Sequence, residues 1–316
     1  MSADLAAGPV VQCALNVSEG RRPEVLGELV AAASAHEGVV LADWSADPDH
    51  HRAVLSLLGH PSATADAVLA IAAVATRRID LRLHEGVHPR LGVLDVVPFT
   101  PVRDIEMSEC IDLSRRVAER LAHEAGLPVH FYELSSPGGR TVTLPEIRRH
   151  YARAALDPAR RSPRPDVAAG PTDPARGVCV VGARGPLVAY NVEVSGEDDR
   201  LARAIAAGIR AQRVERPELS GVMALGLWLP SRRVAQVSMN LTRPLATPLP
   251  TVFGAVARLA EERGGKALRS EVVGLIPEAS LAGEPPESIL WFDARPGQIL
   301  ERWLRPSEDP SSSPSA

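Results

Sequence analysis

The segment HEGVH, residues 84–88, has the residue types and spacing of a helical zinc site. His84 and His88 could share a metal ion only if both side chains lay on one face of a helix. Gly86 between them and Pro89 after them both disfavour a helix. The chain then runs into the apolar strand GVLDVVPF instead of a continuing helix that would carry a third ligand. We therefore predict a loop without a metal ion.

A histidine pair in a loop before a buried strand also suits proton transfer. Neutral imidazole accepts or donates a proton near physiological pH, as general acid–base catalysis requires. The alternative is a pair of surface histidines beside a turn. The residue types alone leave both interpretations open.

Two further loops contain polar residues next to predicted strands. The stretch DWSADPDHHR ends with Arg52 at a strand start, where the guanidinium could hold a carboxylate by two hydrogen bonds. Asp47 and Asp49 are interpreted as part of a solvated turn, because their spacing does not require a metal. The stretch NVSEGRR, residues 16–22, connects a strand to a helix. Its amides could bind an anion, and a plain turn explains the stretch equally well.

These loops connect predicted elements in the order βαββαβ, and this order occurs twice. In the first half, the apolar periodicity predicts strands over 10–17, 39–44, 52–58 and 93–99 and helices over 23–36 and 62–79. A helix over 108–125 and a strand over 129–134 follow. In the second half, it predicts strands over 187–194, 222–229, 234–241 and 269–276 and helices over 198–210 and 249–263.

The repeated order predicts an α/β (α+β) fold of two ferredoxin-like βαββαβ subdomains, each a mainly antiparallel sheet with helices on one face. We expect the first subdomain over 1–184, with a linker-like loop over 157–177, and the second over 185–303. The Ser- and Pro-rich segment 304–316 is predicted to be a disordered tail. The uncovered sheet faces could form a ligand-binding cleft, or one of them could serve a homodimer.

The composition limits the classes of partner. The 316 residues carry a formal net charge of −4, which argues against binding to nucleic acid or to an anionic membrane surface. The sequence shows neither a signal-peptide pattern nor an apolar run long enough to span a membrane. The separated cysteines Cys13, Cys110 and Cys179 are typical of reduced, buried thiols in a cytoplasmic protein.

Several segments together resemble the glutamate formimidoyltransferase (formiminotransferase) family in their order and spacing. They are CALNVSEGRRPEV, DWSADPDHHRAV, HEGVHPRLGVLDVVPFTPV, VGARGPLVAYNV, AQVSMNLT and SEVVGLIP. Family members are folate-dependent enzymes of two similar α/β subdomains, which agrees with the repeat. The resemblance is to the stand-alone form, without the cyclodeaminase domain that is fused to mammalian members.

The resemblance implies a reaction and a set of site residues. The formimidoyl group of N-formimidoyl-L-glutamate would move to N5 of tetrahydrofolate, the cosubstrate, in histidine breakdown and without a metal. His88 matches the family's catalytic histidine, which would act as a general acid and base. Positions that match the binding cleft are Asn16, Ser45, Arg52, His84 and Asn191. Arg52, Arg90 and Arg184 could neutralise the carboxylates of these small-molecule substrates.

Some positions depart from the family pattern. Val87 stands where a glutamate usually precedes the catalytic histidine, and Glu193 stands where an asparagine is usual. The folate-contacting stretch reads VAAGPTDP, with changes at Val167, Ala168, Ala169 and Asp173. Two alternatives therefore stay open. One is a diverged homologue that transfers a formimidoyl or formyl group to or from a different amine. The other is a non-catalytic folate-binding regulatory protein.

Overall fold

The structure, a computed structural model, describes residues 5, 7–156 and 162–305. The predicted tail lies outside these residues from position 306 onward, and so does the 157–161 part of the predicted linker-like loop. The described chain divides into two compact units, one ending at Arg184 and the other beginning at Gly185. Within the described residues, every helix is too short or too polar to span a membrane.

The first unit begins with the predicted βαββαβ order and then continues. Its strands are β1 Val10–Val17, β2 Val39–Asp47, β3 Arg52–Gly59, β4 Leu94–Arg103, β5 Val129–Phe131 and β6 Cys179–Ala183. Its helices are α1 Pro23–Ala33, α2 Pro61–Arg78, α3 Met107–Glu124 and α4 Leu144–Leu156. Both α1 and α2 begin at a proline, whose fixed φ fits the first turn and whose missing N–H costs nothing there.

The strands of the first unit form a six-stranded sheet in the order β2-β3-β1-β4-β6-β5. The neighbours among β2, β3, β1 and β4 are antiparallel, as a ferredoxin-like unit requires. β6 extends this sheet, since it pairs in parallel with both β4 and β5. Leu15 and Leu55 point from the sheet into the main core, where Val68 of α2 and Val117 of α3 also lie.

The helix α4 covers the opposite face of this sheet. Ile147 of α4 packs with Val96 of β4 and Val180 of β6, in a small cluster separate from the main core. The periodicity did not lead us to predict α4 or β6, and helices were expected on one face only. The second layer matters for function because α4 also carries Arg148 to β4.

The second unit is a ferredoxin-like βαββαβ unit with a four-stranded sheet. Its elements are β7 Val188–Val194, α5 Arg200–Gln212, β8 Val222–Leu229, β9 Val234–Leu241, α6 Leu249–Glu261 and β10 Ala267–Val273. The sheet order is β10-β7-β9-β8, and all neighbours are antiparallel. Tyr190 of β7, Ile205 of α5 and Val256 of α6 lie in its core together with Trp291 from the segment after β10.

The predicted fold class is confirmed, with shifts of a few residues at element ends. The helix predicted over 23–36 stops at Ala33, and the strand predicted over 129–134 stops at Phe131. The three cysteines Cys13, Cys110 and Cys179 are free and buried, as predicted.

Candidate active site

Asn16, Ser45 and Arg52 lie on the face of the first sheet that points away from the main core. Asn16 of β1 and Ser45 of β2 both pair with Val54 of β3, from either side. Residues directly opposite on neighbouring strands point to the same face, and so do residues two apart on one strand. Arg52, two residues before Val54, therefore shares this face, while Leu55 points into the core.

The histidine segment is a loop, as Gly86 and Pro89 predicted, since no helix extends beyond Leu83 in this part of the described chain. The loop lies against the turn between β2 and β3. The Val87 N–H donates to the Asp49 carbonyl at 3.0 Å. A Cβ on Gly86 would lie 2.5 Å from the carbonyl oxygen of His50, so only glycine permits this approach.

His88 contacts Arg52 where the histidine loop lies against the turn between β2 and β3. Nη1 of Arg52 lies 3.0 Å from Nε2 of His88. A guanidinium has donors only, so Nε2 must accept, and His88 is the neutral tautomer that carries its proton on Nδ1. The ring of His50 stacks near His88, with 5.7 Å between centroids and 29° between planes.

The surroundings of His88 keep it neutral. Burial, the charges of Arg52 and Arg148 and the nearby His50 hold its pKa well below the usual value for histidine, and the Pro89 backbone only partly opposes them. A lone pair on Nε2 is the group that a general base uses.

A second histidine pair, His51 and His84, fixes the other end of the loop. Their rings stack with 3.9 Å between centroids, and Nε2 of His84 donates to the His51 carbonyl at 2.8 Å. His84 is 7% exposed, and its Nδ1 has no hydrogen-bond partner within the described residues. Burial and the charges of Arg90 and His51 lower the pKa of His84 to about 4.

Glu19 of the NVSEGRR segment lies beside His51 of the turn. Its buried carboxylate accepts hydrogen bonds from the N–H groups of Gly20, Arg21 and Arg22 at 2.8–3.0 Å. Nε2 of His51 lies 3.4 Å from the same carboxylate. Burial raises the pKa of Glu19, but the hydrogen bonds from Arg21 and Arg22 outweigh burial, and the pKa is lowered. The amides therefore hold the chain's own carboxylate, which agrees with the plain-turn interpretation of this segment.

The neutral state of His84 predicts a loss of stability in acid. The pKa of His84 is lower in the folded chain, about 4, than in the unfolded chain, about 6.5, so the unfolded chain binds more protons between these values. The free energy of unfolding should fall by about 2 kcal/mol through His84 alone when the pH drops from 7.5 to 5. Urea titrations measure this free energy. Over the same pH range, that of His84→Gln should fall by about 2 kcal/mol less than that of the parent chain.

His123→Gln is the matched control for this experiment, since His123 is an exposed histidine of α3 that pairs with Glu119. It should leave the acid dependence of unfolding as in the parent chain. Equal pH dependence in His84→Gln and the parent chain would contradict a depressed pKa of His84.

A buried ion pair anchors the far end of the histidine loop. Asp95 is 2% exposed, accepts from the Leu91 N–H at 2.6 Å and accepts from Nη2 of Arg148 at 2.6 Å. The pairing of β1 with β4 passes from Asn16–Val96 to Val17–Leu94, so Asp95 is the extra residue of a bulge. The bulge lets Asp95 face α4 instead of the core. The Nε of Arg148 is buried and has no partner within the described residues.

Arg90 stabilises the histidine loop through hydrogen bonds to its backbone. Its guanidinium donates to the carbonyls of His84, Gly86 and His88. These bonds fix the loop backbone on both sides of Gly86. Arg90 was predicted to bind a substrate carboxylate, and the structure shows it in these loop contacts.

Of the two other predicted binding residues, Arg184 lies at another point of the first unit and Asn191 belongs to the second unit. Arg184 follows β6, beside Tyr132, at the end of that strand opposite to the Asp95 region. Asn191 lies on β7 of the second unit and donates to Glu271 at 2.9 Å. Glu271 also accepts from Gln236 at 3.1 Å. The structure thus brings Asn16, Ser45, Arg52, His84 and His88 to one region of the first unit.

Several residues of this region were not predicted from the sequence. His50 and Asp49 were seen in a polar stretch, and Asp49 was assigned to a solvated turn, but both are buried. Asp47 does shape that turn, because its carboxylate accepts from the N–H groups of Asp49 and His50. Asp95 inside the apolar run GVLDVVPF was a usable signal, since a buried carboxylate needs a partner. Arg148 carried no such signal.

Within the part of the chain that the structure describes, no group of three or more His, Cys, Asp or Glu side chains is placed to hold a metal ion. The histidine pairs instead contact arginine, backbone carbonyls and each other.

Comparison with known proteins gives matches over most of the chain. Residues 10–184 match the family model "Formiminotransferase domain, N-terminal subdomain", and residues 189–284 match "Formiminotransferase domain". A glutamate formimidoyltransferase of Streptococcus pyogenes serotype M1 is 35% identical over 86% of this chain and 90% of that protein. A protein of the same name from Thermoplasma acidophilum is 32% identical over 93% of this chain and 96% of its own length. The formimidoyltransferase-cyclodeaminase of Rattus norvegicus is 34% identical over 86% of this chain and 51% of that protein.

Proposed function

This chain belongs to the formiminotransferase family, and we propose that it moves the formimidoyl group of N-formimidoyl-L-glutamate to N5 of tetrahydrofolate. It is a transferase of folate metabolism, as the sequence resemblance implied. Tetrahydrofolate acts as a cosubstrate, and no metal takes part. We place the reaction in histidine breakdown in the cytoplasm.

The reaction needs a proton carrier between two nitrogens. N5 of tetrahydrofolate attacks the formimidoyl carbon, and a C–N bond forms to give a tetrahedral carbon. His88 takes the proton from N5 at its Nε2 and returns it to the glutamate nitrogen. The bond from carbon to that nitrogen then breaks, and glutamate leaves as the amine. One histidine serves as base and then as acid, so the proton count balances.

The geometry around His88 is the observation that best supports this role. Nε2 of His88 carries a lone pair, and its neighbour Arg52 is a guanidinium suited to a carboxylate. Asn16 and Ser45 lie on the same sheet face as Arg52. Arg148 adds a second cation held by Asp95. Cationic groups beside a neutral base fit a substrate that is an amidine with two carboxylates.

A direct assay tests the proposal. Purified protein supplied with N-formimidoyl-L-glutamate and tetrahydrofolate should form 5-formimidoyl-tetrahydrofolate, followed as 5,10-methenyl-tetrahydrofolate after acid conversion. Turnover should be unchanged after exhaustive chelation, because the loop around Gly86 and Pro89 cannot present His84 and His88 on a helix. Activity that disappears together with a stoichiometric bound metal would contradict the proposed chemistry. Turnover of a formyl donor alone would favour a diverged homologue.

The proposal implies small-molecule substrates and no nucleic acid or membrane partner. The net charge of −4 supports this view, since a polyanion-binding surface needs an excess of basic residues. A homodimer stays a prediction that sedimentation of the full chain can test.

A further inference from the structure

In the structure, the nitrogen that a base needs is already occupied. Neutral His88 has one ring lone pair, on Nε2, and that lone pair accepts the N–H of Arg52 at 3.0 Å. A proton from a substrate nitrogen cannot reach Nε2 while this hydrogen bond persists. Arg52 must therefore move or rotate before His88 can act as a base.

A carboxylate is a stronger partner for Arg52 than a neutral imidazole. Arginine and a carboxylate of opposite charge form two parallel hydrogen bonds, whereas the neutral imidazole accepts one. Arg52 begins β3 on the sheet face shared with Asn16 and Ser45, and its side chain is only partly buried. A carboxylate that enters along this face would compete with His88 for the guanidinium.

We propose that a carboxylate of the formimidoyl donor draws Arg52 away from His88 and so frees Nε2 to accept the proton. Arg52 then couples recognition of the donor to activation of the base. This inference rests on the proposed function, and it adds that the carboxylate is required for turnover as well as for affinity. A donor without a carboxylate would bind weakly and would also find a blocked base.

The charges around His88 also link a bound carboxylate to proton transfer. Burial lowers the pKa of His88 most, and the charges of Arg52 of β3, Arg148 of α4 and His50 of the β2–β3 turn lower it further. Arg148 is held in place by Asp95 at 2.6 Å. A bound carboxylate offsets this positive field and favours the protonated imidazole that forms during transfer.

Kinetics with two donors test the coupling. The donors are N-formimidoyl-L-glutamate and its diamide, in which both carboxylates are amides. For the parent chain we expect kcat with the diamide to be about 10- to 100-fold lower, the range expected for one lost charge-assisted contact. In Arg52→Ala, kcat with the diamide should rise above the parent value, since Nε2 is no longer occupied, while KM for the glutamate donor rises about tenfold.

Arg77→Ala serves as the matched control, because Arg77 is an exposed arginine of α2 paired with Glu28. It should leave both donors with parent kinetics. An arginine that only binds the carboxylate would raise KM for the glutamate donor in Arg52→Ala and leave the diamide kinetics unchanged. That result would overturn the inference.

A titration without turnover keeps the test independent of catalysis. The nine histidines are labelled with ¹⁵N, and His88 is assigned by its absence from the spectrum of His88→Asn. Saturating glutarate, a dicarboxylate that cannot react, should raise the titration midpoint of His88 in the parent chain by about one pH unit or more. An unmoved midpoint with glutarate bound would refute the coupling. A chain that shows this shift but no formimidoyl transfer would refute the proposed function alone.

Discussion

Replacement of His88 by alanine should lower kcat by about 10²–10⁴-fold, the contribution expected of one general acid–base group. The affinity for folate should stay nearly unchanged, because proton transfer is needed only in the transition state. The hydrogen bond from Arg52 to Nε2 is the contact that the variant removes on the protein side. Steady-state kinetics and folate binding measured on the same preparation separate the two quantities.

His84→Ala is the informative comparison within the same loop. His84 donates to the His51 carbonyl and stacks on its ring, so its loss should loosen the loop and cost less in kcat than the loss of His88. Near-normal turnover of His88→Ala would eliminate His88 as the proton carrier. Loss of folate binding in a folded His88→Ala chain would instead make His88 a binding residue.

The low pKa of His88 changes how its role is understood. The sequence alone suggested a histidine that titrates near neutrality, which is the usual optimum for a general base. In the structure, burial and the charges of Arg52 and Arg148 keep His88 neutral far below that range. Such a group stays unprotonated but binds a proton weakly. A substrate anion that offsets the charges of the two arginines would raise the pKa of His88 toward its usual value.

The fold was predictable where local sequence patterns determine it. The apolar runs and proline starts around β1, α1, β2, β3 and α2 specify a βαββαβ order without knowledge of distant residues. β6 was missed because Cys179–Ala183 is a short apolar run after a Pro- and Arg-rich stretch, and its parallel partners lie far away in sequence. α4 was missed because most of its residues are polar or exposed, with Ile147 its only fully buried residue.

The candidate site was predictable for the residues that stand in recognisable loops. His88 and Arg52 could be proposed from their neighbours, but their contact joins positions 36 residues apart and depends on the close approach at Gly86. The pairing of His50 with His88 and of His51 with His84 follows from how two loops meet. The spacing of residues along the chain does not show which loops pack against each other. Arg148 could not be predicted for the same reason, because it reaches Asp95 only when α4 packs on the sheet.

Replacement of Asp95 by asparagine should give the largest loss of stability among the site variants. Asp95 is buried and holds both the Leu91 N–H and the Arg148 guanidinium, and asparagine can accept only one of these bonds while it turns an N–H₂ toward the other donor. Breaking a buried ion pair leaves a charge without a partner, which typically costs about 3–5 kcal/mol. Because Arg148 is 17% exposed, we expect a loss of about 2–4 kcal/mol in the free energy of unfolding.

A double-mutant cycle distinguishes the ion pair from general disruption. Arg148→Met and Asp95→Asn together should cost less than the sum of the single variants, with a coupling of about 1–3 kcal/mol. Asp173→Asn is the control, since Asp173 pairs with Arg176 at 3.6 Å on the surface, where such a pair is worth less than about 1 kcal/mol. Additive single effects would show that the pair does not act as a unit.

Asp95→Asn should also impair turnover, because the Leu91 N–H that Asp95 holds ends the loop that carries His88. When the Leu91 N–H loses its anchor, the His88 ring is no longer held at a fixed distance from Arg52 and from the sheet face of Asn16. A displacement of about 1 Å in a catalytic group can cost on the order of 100-fold in rate. We therefore expect Asp95→Asn to lower kcat by at least about tenfold at a temperature where the chain is fully folded. Full activity in the folded variant would mean that Asp95 stabilises α4 on the sheet without positioning His88.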